Sequence, residues 1–166
     1  MPKTSPIYYD HAATTPVHPQ VVEVMKHYFL EEFGNASSTT HPYGEKAKKA
    51  IEGAKKQMAE ILNGDPEKFI FTSGATEAIN LAIKGMFEAE EDEDEFFSGH
   101  IITCQTEHKA VLDTCEYLEG IGAEVTYLPV DKDGRVDLQE LERSIRRNTI
   151  LIALMYVNNE TGVWNC

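Results

Sequence analysis

Cysteine is scarce in this chain. Cys104, Cys115 and Cys166 are the only three among 166 residues, and no two stand at Cys-x-x-Cys spacing. An odd, sparse set excludes a disulfide scaffold and fits a reducing cytoplasm. Six histidines are present, but none falls at zinc-ligand spacing, so no metal site is expected. Basic charge is also short: 15 Lys and Arg face 28 Asp and Glu, for a net charge of −13. Without a basic face the chain lacks the means to release counterions from phosphate, which excludes a general nucleic-acid binder. Long apolar runs are missing, and nothing approaches the ~20 residues that span a bilayer. The opening Met-Pro-Lys-Thr-Ser-Pro lacks the apolar core of a secretory signal. Neither a Walker phosphate loop nor Gly-x-Gly-x-x-Gly occurs, which disfavours a Rossmann-type nucleotide binder. The expectation is a cytoplasmic protein with no membrane and no nucleic-acid partner.

What is present suffices for a packed core, with 42% hydrophobic residues. Apolar stripes predict helices over 16–30, 44–62, 76–87, 110–119 and 137–146. Asn63-Gly64-Asp65-Pro66 closes the second with C-cap and breaker chemistry. Between the helices, β-rich runs predict strands over 68–72, 100–105, 124–130 and 149–157, and the last is nearly all apolar, as in a sheet covered on both faces. Strand–helix alternation of this kind means an α/β fold with a mainly parallel sheet. The run Glu88 to Glu95 holds seven of the 28 acids and no base, and reads as a solvated surface loop. No helix follows the last strand to cover it. Its apolar surface leads to the expectation of an incomplete sheet, or of one that needs a partner.

Four polar constellations sit where such a fold holds ligands. Thr72-Ser73-Gly74-Ala75-Thr76-Glu77-Ala78 lies at a strand-to-helix junction. There the Ala75 and Thr76 N–H groups would face an anion, with the Ser73 and Thr76 hydroxyls as added donors. From this piece alone, a plain capping arrangement of Ser or Thr with Glu is the first reading of the same residues. Thr106-Glu107-His108-Lys109 follows the second strand, at the carboxyl edge where ligands of open α/β sheets bind. His108 there suits ring stacking, proton shuttling or metal binding, or simply starts a helix. Val157-Asn158-Asn159-Glu160-Thr161-Gly162 follows the fourth strand, and its amides can orient a ring hydroxyl or form a turn. The fourth joins Tyr9-Asp10-His11-Ala12-Ala13-Thr14-Thr15-Pro16 to Phe33-Gly34-Asn35-Ala36-Ser37-Ser38, which alone reads as loop chemistry.

Taken in order and spacing, these motifs resemble the cysteine desulfurases of the NifS/IscS-like branch, which are pyridoxal-phosphate (PLP) enzymes of the class V aminotransferase group. The resemblance runs from about Ile7 to Val163. It implies the large-domain portion of PLP fold-type I: a mainly parallel sheet flanked by helices, and incomplete. Residues 1–15 would lead into the active site, and 16–166 would form the N-terminal part of the PLP-binding domain. Ala75 and Thr76 match the phosphate cup. His108 matches the histidine that stacks on the pyridine ring and takes part in proton transfer. Asn159 matches the amide beside the ring 3-hydroxyl, and Asn35 lies in a loop bordering the substrate pocket. Ala36 stands where Pro is common in the family.

The resemblance also implies L-cysteine as substrate, a sulfur-acceptor or scaffold protein as partner, and a homodimer. The family's Schiff-base lysine and persulfide-forming cysteine lie beyond the Asn-Asn-Glu motif. The expectation is therefore a truncated chain, inactive alone. The alternative is a non-catalytic remnant that at most binds phosphate or PLP weakly. Cys104, in an apolar strand, and Cys115, on an inner helix stripe, read as buried rather than catalytic. Cys166 is given no role.

Overall fold

The computed structural model describes residues 6–91 and 98–165. The chain divides into two compact units, one running to Phe71 and the other beginning at Thr72.

The first unit holds α1 (Pro19–Leu30) and α2 (Pro42–Leu62). Each begins with proline at its first position, where the missing N–H costs nothing. Each is also capped by a histidine: His18 Nδ1 accepts from Gln20 N, and His41 Nδ1 accepts from Gly44 N. α2 stops at Asn63, which takes a left-handed conformation and returns its N–H to Ala59 O. A single 3-10 turn, Pro66–Lys68, follows under the cap of Asp65.

The strand expected over 68–72 does not form. An extended segment becomes a strand only when a neighbour completes its hydrogen bonds, and 69–72 has no ladder partner among the described residues. Ile70 and Phe71 remain exposed.

The second unit opens with α3 (Ala75–Glu91) and continues β1 (His100–Cys104), α4 (Lys109–Glu119), β2 (Glu124–Leu128), α5 (Leu138–Ser144) and β3 (Thr149–Ile152). The strands form one parallel sheet in the order β2-β1-β3, with β1 at its centre. β3 is shorter than its apolar run predicts, because after Ala153 N donates to Ile102 O the chain leaves the ladder. The acid run is not all loop. Glu88 to Glu91 extend α3, and the rest of it lies outside the described residues.

Alternation along β1 sends successive side chains to opposite faces. Ile101 packs with Ile83 and Phe87 of α3 and with Val111, Cys115 and Leu118 of α4. Ile102 and Cys104 pack on the other face with Leu128, Leu141 and Leu154. Cys104 and Cys115 are buried, as expected, and burial raises the Cys115 thiol to about 11.

The amino edge of the sheet is tied by a buried histidine. His100 Nδ1 lies 2.8 Å from Thr149 Oγ1 and Nε2 lies 2.8 Å from Thr126 Oγ1, so one ring links all three strands. Burial, then Arg146, holds His100 below the usual histidine range against the opposing pull of Glu124. Arg146 itself pairs with Glu124.

Candidate functional site

The parallel order β2-β1-β3 sets the carboxyl ends of β1 and β3 side by side. The loop 105–108 leaves β1 there, and the loop 153–163 leaves β3. Between them lies a cleft of about 230 Å³ lined by Thr106, Glu107, His108, Lys109, Asn158, Asn159 and Glu160. Two residues singled out in the sequence, His108 and Asn159, thus share one cleft 51 positions apart in the chain.

His108 is the N-cap of α4, and its Nδ1 accepts from Ala110 N at 3.0 Å. The helix-start reading is therefore correct, and it does not exhaust the ring. An accepting Nδ1 leaves the hydrogen of the neutral ring on Nε2. His108 is exposed, which keeps that nitrogen accessible. Asn159 is exposed and donates from Nδ2 to Glu160 Oε1 at 3.0 Å.

Ala75 and Thr76 begin α3, whose first N–H groups have no intrahelical acceptor by the geometry of a helix start. No side chain among the described residues supplies one. Both residues are exposed. Ser73 follows the capping reading rather than the anion-donor one. Its N–H and its hydroxyl both donate to Glu77 Oε2, at 2.7 and 2.5 Å, so the hydroxyl is not an added donor for an anion. The same two bonds hold the Glu77 carboxyl below its usual range. A Cβ placed on Gly74 meets nothing within 4 Å, so the approach to these N–H groups is open. Unpaired N–H donors at the positive end of a 17-residue helix, with open space before them, fit a phosphate group.

Asn35 belongs to the first unit. Its Oδ1 accepts from Ser37 N at 2.9 Å and its carbonyl accepts from Ser38 N at 3.0 Å, which closes a tight turn. Two glycines make the turn possible. A Cβ on Gly34 would stand 2.2 Å from Tyr43 O, and one on Gly44 would stand 1.8 Å from Ser38 O. The backbone thus packs onto the start of α2, and Asn35 is held exposed. In the N-terminal segment, Tyr8 Oη bonds Asp10 O at 2.8 Å and Thr14 Oγ1 at 2.5 Å, which folds 8–14 into a turn.

Sequence reasoning missed two residues of the second unit. Glu107 and Asn158 were visible only as members of polar motifs, and both prove buried, at 7% and 8% exposure. The available signal was the turn chemistry of Asn158-Asn159-Glu160-Thr161-Gly162: the Asn158 side chain accepts from Glu160 N and Thr161 N inside the turn. No group of three or more His, Cys, Asp or Glu suited to a metal occurs among the described residues. Nor is any described helix long and apolar enough to cross a membrane.

Comparison with known proteins bears on the family and the fold. The Aminotransferase class-V family matches residues 7–166. A cysteine desulfurase IscS of Buchnera aphidicola is 51% identical over 160 residues, covering 95% of this chain and 39% of that protein. One of Neisseria meningitidis is 50% identical over 159 residues, covering 96% and 38%. The chain thus spans about two-fifths of the length of these curated relatives. A solved NifS-like protein superposes with a TM-score of 0.88 at 40% identity, covering 96% of this chain and 42% of its own. A solved SspA in complex with cysteine gives 0.86 at 44% identity, covering 95% and 44%.

Proposed function

Because the chain belongs to the aminotransferase class-V family, we propose that it carries the phosphate cup and the ring-binding residues of a PLP-dependent cysteine desulfurase. The reaction converts L-cysteine to L-alanine and leaves the sulfur as a persulfide on an enzyme thiol. The cleft shared by His108 and Asn159 at the carboxyl edge of β1 and β3 is the observation that carries this reading. The name borne by the relatives and the cysteine complex of SspA support L-cysteine as substrate.

When bound, PLP supplies an electron sink for the charge that develops at the substrate carbon. The chain's own residues have separate tasks. The Ala75 and Thr76 N–H groups hold the phosphate at the α3 N-terminus. His108 stacks on the ring and moves a proton through Nε2, while its Nδ1 stays fixed on Ala110 N. Asn159 orients the ring 3-hydroxyl by a hydrogen bond. Asn35 borders the substrate, on the turn that Gly34 and Gly44 permit. The lysine and the thiol that complete the family's chemistry are supplied from outside these motifs. The sulfur would go to iron–sulfur cluster assembly or to tRNA thiolation. A cytoplasmic homodimer that hands sulfur to an acceptor or scaffold protein completes the proposal.

The test is a PLP titration of the chain followed by backbone NMR. Saturable shifts of the Ala75, Thr76, His108 and Asn159 amides are expected. Ala75→Pro removes one donor at a helix position that tolerates proline, and should weaken binding about tenfold without melting α3. No saturable shift, or binding indifferent to Ala75→Pro, overturns the reading.

A further inference from the structure

Two buried side chains join the loops that carry His108 and Asn159. Glu107 accepts the Met155 N–H through Oε1. Asn158 Nδ2 donates to Thr106 O at 2.9 Å. The first loop thus supplies two acceptors, a carboxylate and a carbonyl, and the second supplies two donors. The orientation of the Asn158 amide follows from its other partners. Glu160 N and Thr161 N reach it at 3.0 and 2.9 Å and can only donate, so Oδ1 must face them and Nδ2 must face Thr106. Asn158 N also donates to Val163 O, and its carbonyl accepts from Gly162 N. Asn165 fastens the far side, donating from Nδ2 to Met155 O at 3.2 Å and from its backbone to Tyr156 O at 3.0 Å.

We infer that Glu107 and Asn158 are positioning residues, a buried latch that fixes the distance between His108 and Asn159. The inference rests on the proposed PLP site for its purpose, but the latch itself is a property of the chain alone. Glu107 and Asn158 border the cleft, yet the polar atoms described above are turned to protein partners. They act through the two residues that follow them in sequence. Neither strand pairing nor helix capping sets the spacing of these two loops, because β3 ends at Ile152 and His108 caps only its own helix. Without the latch the cleft width would be left to the loops, and a planar ring needs the group stacked on its face and the group bonded at its edge held within about 0.5 Å of each other's required positions.

Two variants separate the latch from general folding. Asn158→Asp keeps an oxygen for Glu160 N and Thr161 N but sets a second oxygen against Thr106 O. Glu107→Ala removes the acceptor for Met155 N, and Glu107→Gln restores one. Amide hydrogen exchange is measured on the ligand-free chain, and binding is measured with PLP as the probe. Asn158→Asp and Glu107→Ala should each speed exchange about tenfold in both loops, 105–109 and 153–163, with the β1 and α4 cores unchanged. Each should weaken PLP binding about tenfold, and Glu107→Gln should recover most of it. Exchange that rises in only one loop overturns the latch. So does PLP affinity that stays constant while both loops open. If the unaltered chain does not bind PLP, the proposed function fails, and the exchange data still decide whether the latch exists. Should Asn158→Asp not fold, the Glu107→Ala and Glu107→Gln pair makes the same decision.

Discussion

Helices α1 and α4 carry similar apolar stripes and end in opposite states. In α1, Val21, Val24, Met25, Tyr28 and Phe29 recur at helical spacing, and none of the helix's residues is buried. In α4, Val111, Cys115 and Leu118 recur the same way and are buried against β1 and α3. Amphipathicity therefore makes a helix but does not choose its partner. The first unit keeps an open apolar groove of about 880 Å³ between α1 and α2, lined by Val24, Tyr28, Phe29, Ala50, Ile51 and Phe71. The second unit closes its stripes because a sheet offers two flat faces, and a helix can seat on each. The proposed cofactor-binding residues Ala75, Thr76, His108 and Asn159 all sit in the closed unit, and the proposed substrate-side Asn35 sits in the open one. The closed unit is where chain ends can be held to fixed distances.

The contrast can be broken most strongly at Leu118, which has 0% exposure. Leu118→Ala should cost about 3–5 kcal/mol in urea unfolding, through the cavity it leaves between α4 and β1. Gly44→Ala tests a tightly packed point of the first unit. Forcing a Cβ against Ser38 O should cost about 1–3 kcal/mol and loosen the Asn35 turn, visible as lost Ser37 and Ser38 amide protection.

His100 sharpens the comparison through pH. Its folded pKa lies below the unfolded value, so below about pH 6.5 the unfolded chain binds a proton that the folded chain resists. Stability is present above that range and is lost as pH falls toward the folded pKa, with a slope of up to about 1.4 kcal/mol per pH unit. Subtracting the profile of His100→Gln from that of the unaltered chain should isolate this segment. A difference that is flat between pH 7 and 5 would refute it.

Thr103 is fully buried, and among the described residues its hydroxyl has no hydrogen-bond partner. Thr103→Val should raise stability by about 1 kcal/mol. At the bottom of the scale stands Phe29, 68% exposed on α1. Phe29→Ala should change stability by no more than about 0.5 kcal/mol, and a larger loss would mean that the α1 stripe is covered in solution.

Much of this architecture is legible from local signals. Helix periods, the cap at Asn63 and the three strands of the sheet follow from residues within a few positions of one another, within a few residues at each end. The same holds for His108 as a helix start and for Ala75 and Thr76 as exposed first-turn donors. The strand expected over 68–72 was not legible, because pairing belongs to two segments and composition to one. Ser73 was left with two readings for a related reason. Its hydroxyl had two possible uses, and Glu77 took it.

By itself, the sequence determined the helices and the three strands of the sheet, and through its ordered motifs it determined the family. Both depend on local geometry or on residue order, which a linear string contains. Only the tertiary structure decided that His108 and Asn159 share a cleft, that Glu107 and Asn158 turn inward to join its walls, and that α4 is buried while α1 is not. Those outcomes depend on strand order and on competition for partners about fifty residues away, and neither is written in any one stretch of the chain.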